Sequence, residues 1–234
     1  MKKVLLSAVA AVALTTATQA ASPFSGFYLG GGIAYNSSKA TNKATVTTPA
    51  LTGTLWNKSG SASNASFLAY LGYGHMFGGG MYLGGEFNLG YDTSANFGNT
   101  QNQALGLLPA NSLTISNRAK GGFSSEISAR LGYVFCNKTL VYGKLGYAWH
   151  PKTTLQLKNN ATGAVIASET FKRDGFILGA GVEHAMTNNW LIRGEYKYNF
   201  GRKNTRSDTN GALNFRDEVK TSGHTLMLGV AYKF

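Results

Sequence analysis

The chain has 234 residues, with 30 Gly, 12 Tyr and 13 Phe but only 4 Pro and one Cys, and its formal charge is +12. The single Cys136 excludes an intramolecular disulfide, and no apolar stretch is long enough for a helix to cross a bilayer, so a membrane-spanning form would have to be a closed barrel of strands. The excess of Lys and Arg bears on partners rather than on the fold and favours anionic ones.

Residues 1–20 read as a secretory signal. Lys2 and Lys3 begin it, residues 4–14 are an apolar run too short to span a bilayer, and Thr18, Gln19 and Ala20 supply small residues at the cleavage spacing. Cleavage is expected after Ala20, leaving residues 21–234 as one barrel domain. No Cys follows the apolar run, which argues against a lipid anchor.

Period-2 alternation of apolar and polar or small residues then recurs eight times, at 27–35, 67–73, 81–91, 123–135, 141–149, 176–182, 190–198 and 226–234. Phe27, Leu29, Ile33 and Tyr35 line one face of the first segment, and Leu226, Leu228, Val230, Tyr232 and Phe234 that of the last. The intervening positions carry Glu86, Asn88, Glu126, Ser128, Arg130, Lys144, Glu183, Arg193, Glu195 and Lys197. A soluble sandwich would turn such charges to water. In a membrane barrel they face the lumen and the aromatic face meets lipid. Aromatics bracket segments of about nine to eleven residues, the length of a tilted membrane strand, as interfacial girdles do.

Short and long connections alternate. Residues 77–80, 137–138 and 187–189 are tight turns, whereas 36–62, 93–117, 151–173 and 201–221 are expected to be long polar loops. Residues 155–157 and 165–167 flank a turn-like 159–163 and could pair as a hairpin. Three short turns and four long loops predict an all-β fold. It is an eight-stranded antiparallel up-and-down transmembrane barrel with both termini periplasmic, located in the outer membrane of a Gram-negative bacterium.

Residues 174–198 carry a family resemblance. Gly179, Gly181 and Glu183 precede a turn with Thr187, Asn189 and Trp190, and Arg193, Glu195, Tyr196 and Tyr198 follow. This resembles the penultimate hairpin of the outer-membrane β-barrel surface-antigen and porin family of α-proteobacteria, related in architecture to the barrel of outer membrane protein A. His184 stands where that family has an aromatic. Residues 26–32 are similar to its first strand. Tyr232 and Phe234 resemble its C-terminal signal for the barrel-assembly machinery. The resemblance implies a surface antigen, an adhesin, a heme-binding protein or a small porin, and does not fix a ligand.

Eight strands enclose just enough room for side chains. The turn at 187–189 should set Glu183 opposite Arg193. Glu86, Glu126, Arg130, Lys144, Glu183, Arg193, Glu195 and Lys197 are therefore expected to form a lumen charge network. Either they fill and fix the barrel, or their rearrangement opens a narrow gated pore. A hydrolase or acyltransferase would need Ser, His and an orienting acid together. His150 and His224 have Ser168, Ser207, Ser222, Glu169, Asp208 and Asp217 nearby only in sequence. The His-x-Ser-Asn element of lipid A deacylase barrels is absent, so no catalytic residues are assigned. The scattered His carry no metal-ligand spacing, and no cofactor is expected.

The remaining charge concentrates in the long connections, with Lys172, Arg173, Arg202, Lys203 and Arg206 as candidate surface contacts. They suit lipopolysaccharide phosphates or acidic host glycans and matrix proteins. No specific nucleic acid partner is expected. A monomer with a structural, surface-exposed role is the reading these features support.

Overall fold

The computed structural model describes residues 22–47, 52–101, 113–119, 121–151, 153–159, 162, 165–171, 174–210 and 213–234. The expected signal at 1–20 lies outside them, as do Lys172 and Arg173. The strands are β1 (Gly26–Thr47), β2 (Thr52–Met76), β3 (Met81–Asp92), β4 (Ala95–Gln101), β5 (Leu113–Ala119) and β6 (Gly122–Phe135). They continue as β7 (Thr139–Trp149), β8 (Thr153–Asn159), β9 (Val165–Phe171), β10 (Gly175–Ala185), β11 (Trp190–Asn210) and β12 (Leu213–Lys233). One 3-10 turn at Gly78–Gly80 is the helical element among the described residues, and no described helix is long and apolar enough to cross a membrane.

Eight strands close a barrel in the order β1-β12-β11-β10-β7-β6-β3-β2, every neighbouring pair antiparallel. Closure pairs Tyr35 with Leu226 and Tyr28 with Lys233, so the barrel keeps no unpaired edge. Alternation is carried through into burial. In β3 the even positions, including Glu86 and Asn88, are buried, and the odd positions, including Leu83, Phe87 and Leu89, are exposed. The usual polarity of a protein is inverted: Phe123 is 81% exposed and Arg130 is 0% exposed. Such a continuous apolar exterior is stable only against lipid or a partner. Edge-to-face aromatic pairs rim it at both ends: Phe27–Tyr73 and Trp190–Tyr232 toward the short turns, and Tyr91–Phe123 and Tyr147–Phe176 at the other end.

Short turns join the barrel strands at one end. In one of them Lys138 N–H donates to the Phe135 carbonyl at 3.1 Å, and Cys136 and Asn137 both adopt positive φ. Cys136 is an exposed turn thiol.

The long connections differ from expectation. Residues 36–47 and 52–62 are strand, as are 201–210 and 213–221, so β1, β2, β11 and β12 run well beyond the alternating segments. Arg202, Lys203 and Arg206 accordingly lie in β11 rather than in a loop. The other two connections form a separate sheet, β4-β5-β8-β9, with β5 and β8 as the inner pair and the expected hairpin of β8 with β9 at one end. That order repeats β3-β6-β7-β10, the barrel strands from which these four continue. Beyond the barrel the ladder therefore divides into two four-stranded sheets. Antiparallel backbone pairing can continue where water replaces lipid. The buried face there is lined by small or polar residues such as Ser38, Ala40 and Ala62, so hydropathy shows no period-2 pattern.

Candidate functional site: the filled lumen

The barrel interior is layered. Nearest the short turns it is apolar, with Phe24, Val134, Leu140, Ala185 and Leu191 buried together. Phe24 belongs to the segment before β1, held there where Lys233 Nζ donates to the Ser22 carbonyl at 2.9 Å and Met76 N–H to Ser25 Oγ at 3.0 Å.

The middle layer brings together all eight charges expected to line the lumen. Glu86 Oε2 accepts from Arg193 at 2.6 Å and lies 3.1 Å from Arg130. Glu183 Oε2 pairs with Arg130 and, at 3.3 Å, with Arg193, its cross-strand neighbour. Lys144 Nζ sits among three carboxylates, 2.8 Å from Glu86, 2.8 Å from Glu126 and 3.0 Å from Glu195. Lys197 bonds Glu126 at 2.7 Å. Four carboxylates face four cations, and in a low-dielectric interior such burial is tolerated only when charges balance and hydrogen bonds complete the shell.

Tyrosines complete that shell; along the chain they merge with the aromatic face, against which only charged positions stand out. Tyr28 OH donates to Glu86 Oε2 at 2.8 Å and accepts from Arg130 at 2.8 Å; Tyr142 OH donates to Glu195 Oε2 at 2.7 Å. The Arg130 guanidinium lies 4.0 Å from the Tyr142 ring centroid, and that of Arg193 lies 4.2 Å from Tyr70. Cation–π contact thus supports both arginines where further acceptors are lacking. Glycines on inward positions make room for these rings. A Cβ at Gly72 would fall 2.2 Å from the Tyr28 hydroxyl, and one at Gly181 2.5 Å from the Tyr142 ring. Each of these glycines is the direct cross-strand partner of the tyrosine it seats, Gly72 of Tyr28 and Gly181 of Tyr142, a pairing that the sheet register reveals.

Above the charges a polar belt crosses the mouth. Thr225 Oγ1 donates to Asn36 Oδ1 at 2.8 Å, Asn36 Nδ2 to Ser66 Oγ at 2.6 Å, and Ser66 Oγ to Asp92 Oδ1 at 2.6 Å. His150 Nδ1 lies 3.4 Å from Asp92 Oδ2, and Asn199 Nδ2 lies 2.7 Å from His150 Nε2. Two cavities of about 30 Å³ each adjoin the belt, room for a water or two. Ser66 bonds Asp92 and not His150, so no Ser–His nucleophile pair is assembled there. His224 lies on the outer face with Tyr196 OH 2.6 Å from its Nδ1. No group of three or more His, Cys, Asp or Glu arranged for a metal occurs among the described residues.

Tyr232 in β12 and Phe234 just beyond its end lie on the outer face with rings 5.3 Å apart, and Phe234 N–H donates to the Phe27 carbonyl at 2.9 Å.

A family model described as outer membrane protein beta-barrel domain matches residues 6–234. Over 110 residues the chain is 36% identical to the 31 kDa outer-membrane immunogenic protein of Brucella melitensis biotype 1, a match covering 46% of this chain and 44% of that protein. The match therefore spans less than half of that relative's length. Two solved structures are similar to this chain in fold. One is the attachment invasion locus protein Ail of Yersinia pestis, at 14% identity and TM-score 0.37, covering 88% of this chain and 98% of that one. The other is Neisserial surface protein A, at 17% identity and TM-score 0.38, covering 86% and 97%.

Proposed function

The chain belongs to the outer membrane protein β-barrel family, and from that premise we propose that it is a monomeric, non-catalytic surface protein whose lumen is closed by its own side chains. The observation that carries this is the balanced ionic layer, in which Glu86, Glu126, Glu183 and Glu195 are each paired with a buried cation. Both termini are assigned to the periplasm, where the short turns lie, and Tyr232 and Phe234 to recognition by the barrel-assembly machinery. The expected signal at 1–20 would direct export. The strand extensions then stand outside the cell, and the basic residues Arg202, Lys203, Arg206, Lys172 and Arg173 are proposed as contacts for anionic surfaces, either lipopolysaccharide or acidic host glycans. Planar-bilayer recording of refolded protein tests the closed lumen. Baseline current is expected, and steady single-channel openings would overturn it.

A small gated porin is the second reading. Its support is Lys144, shared among Glu86, Glu126 and Glu195, since a cation with three acceptors can exchange partners without leaving any charge wholly unpaired. Brief, infrequent openings that lengthen in Lys144→Gln are its signature.

A further inference from the structure

Outward positions of β1, β12 and β11 change character just beyond the apolar band. On β1 the outward series runs Ile33, Tyr35, Ser37, Lys39, Thr41, Lys43, and on β12 it runs Leu228, Leu226, His224, Ser222, Lys220, Glu218. Lys39, Lys43, Lys220 and His224 are exposed, while the alternate Ser38, Ala40 and Gly223 are buried, so these side chains share the face that lower down meets lipid.

Register sets the cations together. Thr41 pairs with Lys220, so Lys39 and Lys43 are both diagonal neighbours of Lys220, roughly 7–8 Å away by sheet geometry. Like charges crowded on one face of a sheet repel, and an anion seated among them relieves that repulsion. Glu218, paired with Lys43, is the one carboxylate among the outward positions named on β1 and β12, and it offsets one charge of the three. Immediately below sit Tyr35, Tyr196 and Tyr198. The ring of His224 lies 4.9 Å from Tyr198, and Tyr198 lies 4.6 Å from Phe200. Aromatic side chains with polar tips mark the edge of the hydrocarbon, which puts the lysines at the height of lipid headgroups.

We infer that this facet, Lys39, Lys43 and Lys220 over the Tyr196–His224 pair, is a docking site for the phosphate groups of an outer-leaflet glycolipid. The inference rests on the outer-surface reading above and narrows it from a general basic surface to one side of the barrel. Phosphate oxygens would accept charge-assisted hydrogen bonds from the lysines while the acyl chains lie along Ile33, Leu226 and Leu228. A soluble polyanion would meet the same charges but gain nothing from the apolar surface directly beneath them.

The test is native mass spectrometry of the folded protein in detergent. It is titrated with bisphosphorylated lipid A, with the same lipid stripped of phosphate, and with a heparin oligosaccharide. Wild type should bind the bisphosphorylated lipid about tenfold or more tightly than the stripped one, the gain expected from even one or two charge-assisted contacts. Lys39→Glu with Lys220→Glu should abolish that preference, and Lys138→Glu, at the opposite end of the barrel, should retain it. A gel-mobility shift on heating verifies folding, and Lys39→Gln with Lys220→Gln replaces the first pair if it fails to fold. Equal affinity for both lipids, a preference that survives the double variant, or tighter binding of heparin than of lipid A would each overturn the assignment. Those outcomes leave the closed lumen untouched, because conductance reads the interior and not this face.

Discussion

Arg193 reaches Glu86 across the full width of the barrel. The two lie on β11 and β3, four places apart in a closed ring of eight strands, and yet their side chains meet at 2.6 Å. Glu86 also accepts from Arg130, Lys144 and Tyr28, so one carboxylate ties together β1, β3, β6, β7 and β11.

Removing that carboxylate should be costly. Glu86→Ala leaves buried Arg130 and Arg193 short of an acceptor and is expected to lower stability by about 3–5 kcal/mol. Urea unfolding in lipid vesicles measures it. Replacing both ends of the pair, Glu86→Gln with Arg193→Met, should cost less than the two single changes combined, with a coupling of about 0.5–3 kcal/mol. Strict additivity would mean the pair does not act as one.

Tyr142 and Gly181 test the seat of a lumen ring. Tyr142→Phe loses the 2.7 Å bond to buried Glu195 and should destabilise by roughly 1–3 kcal/mol. Gly181→Val should cost about as much or more, because its side chain would occupy the space of the Tyr142 ring. Stability within a few tenths of a kcal/mol of wild type for Gly181→Val would show that the ring packs elsewhere.

The lipid-facing band should resist charge by depth. Leu228, 62% exposed in mid-strand, is expected to cost about 2–4 kcal/mol when replaced by Arg, and Thr205 of the β11 extension about 0–1 kcal/mol. Equal effects at both positions would contradict a bilayer around Leu228.

Orientation can be read from thiols. Cys136 is exposed in a short turn, whereas Ser61 is exposed on the β2 extension at the opposite end. A membrane-impermeant maleimide should label Ser61→Cys, in a Cys136→Ser background, on intact cells. Cys136 should react only after the outer membrane is opened. The reverse pattern would place the short turns outside the cell.

Much of the barrel was legible before any coordinates, because in a strand each residue alternates faces and the alternation is written locally. Residues 81–91 announced β3, and its burial follows the same period. The turn at 187–189 was short enough to set Glu183 against Arg193. The strand extensions were not legible. Small and polar residues on both faces leave no periodic trace in hydropathy, so residues 36–47 and 201–210 read as loop although they form strand.

Export-like patterning, eight alternating segments and the charges that turn inward can all be read along the chain. Most of the partners inside the lumen are set by how the barrel closes. Contacts such as Arg193 with Glu86, or Tyr28 with both Glu86 and Arg130, join strands that are neighbours neither in the chain nor in the sheet. They depend on the stagger and curvature with which the barrel closes, and on the space that Gly72 and Gly181 leave for aromatic rings. Period-2 patterning says which way a side chain points, but how far it must reach to find its counter-charge is a property of the closed ring.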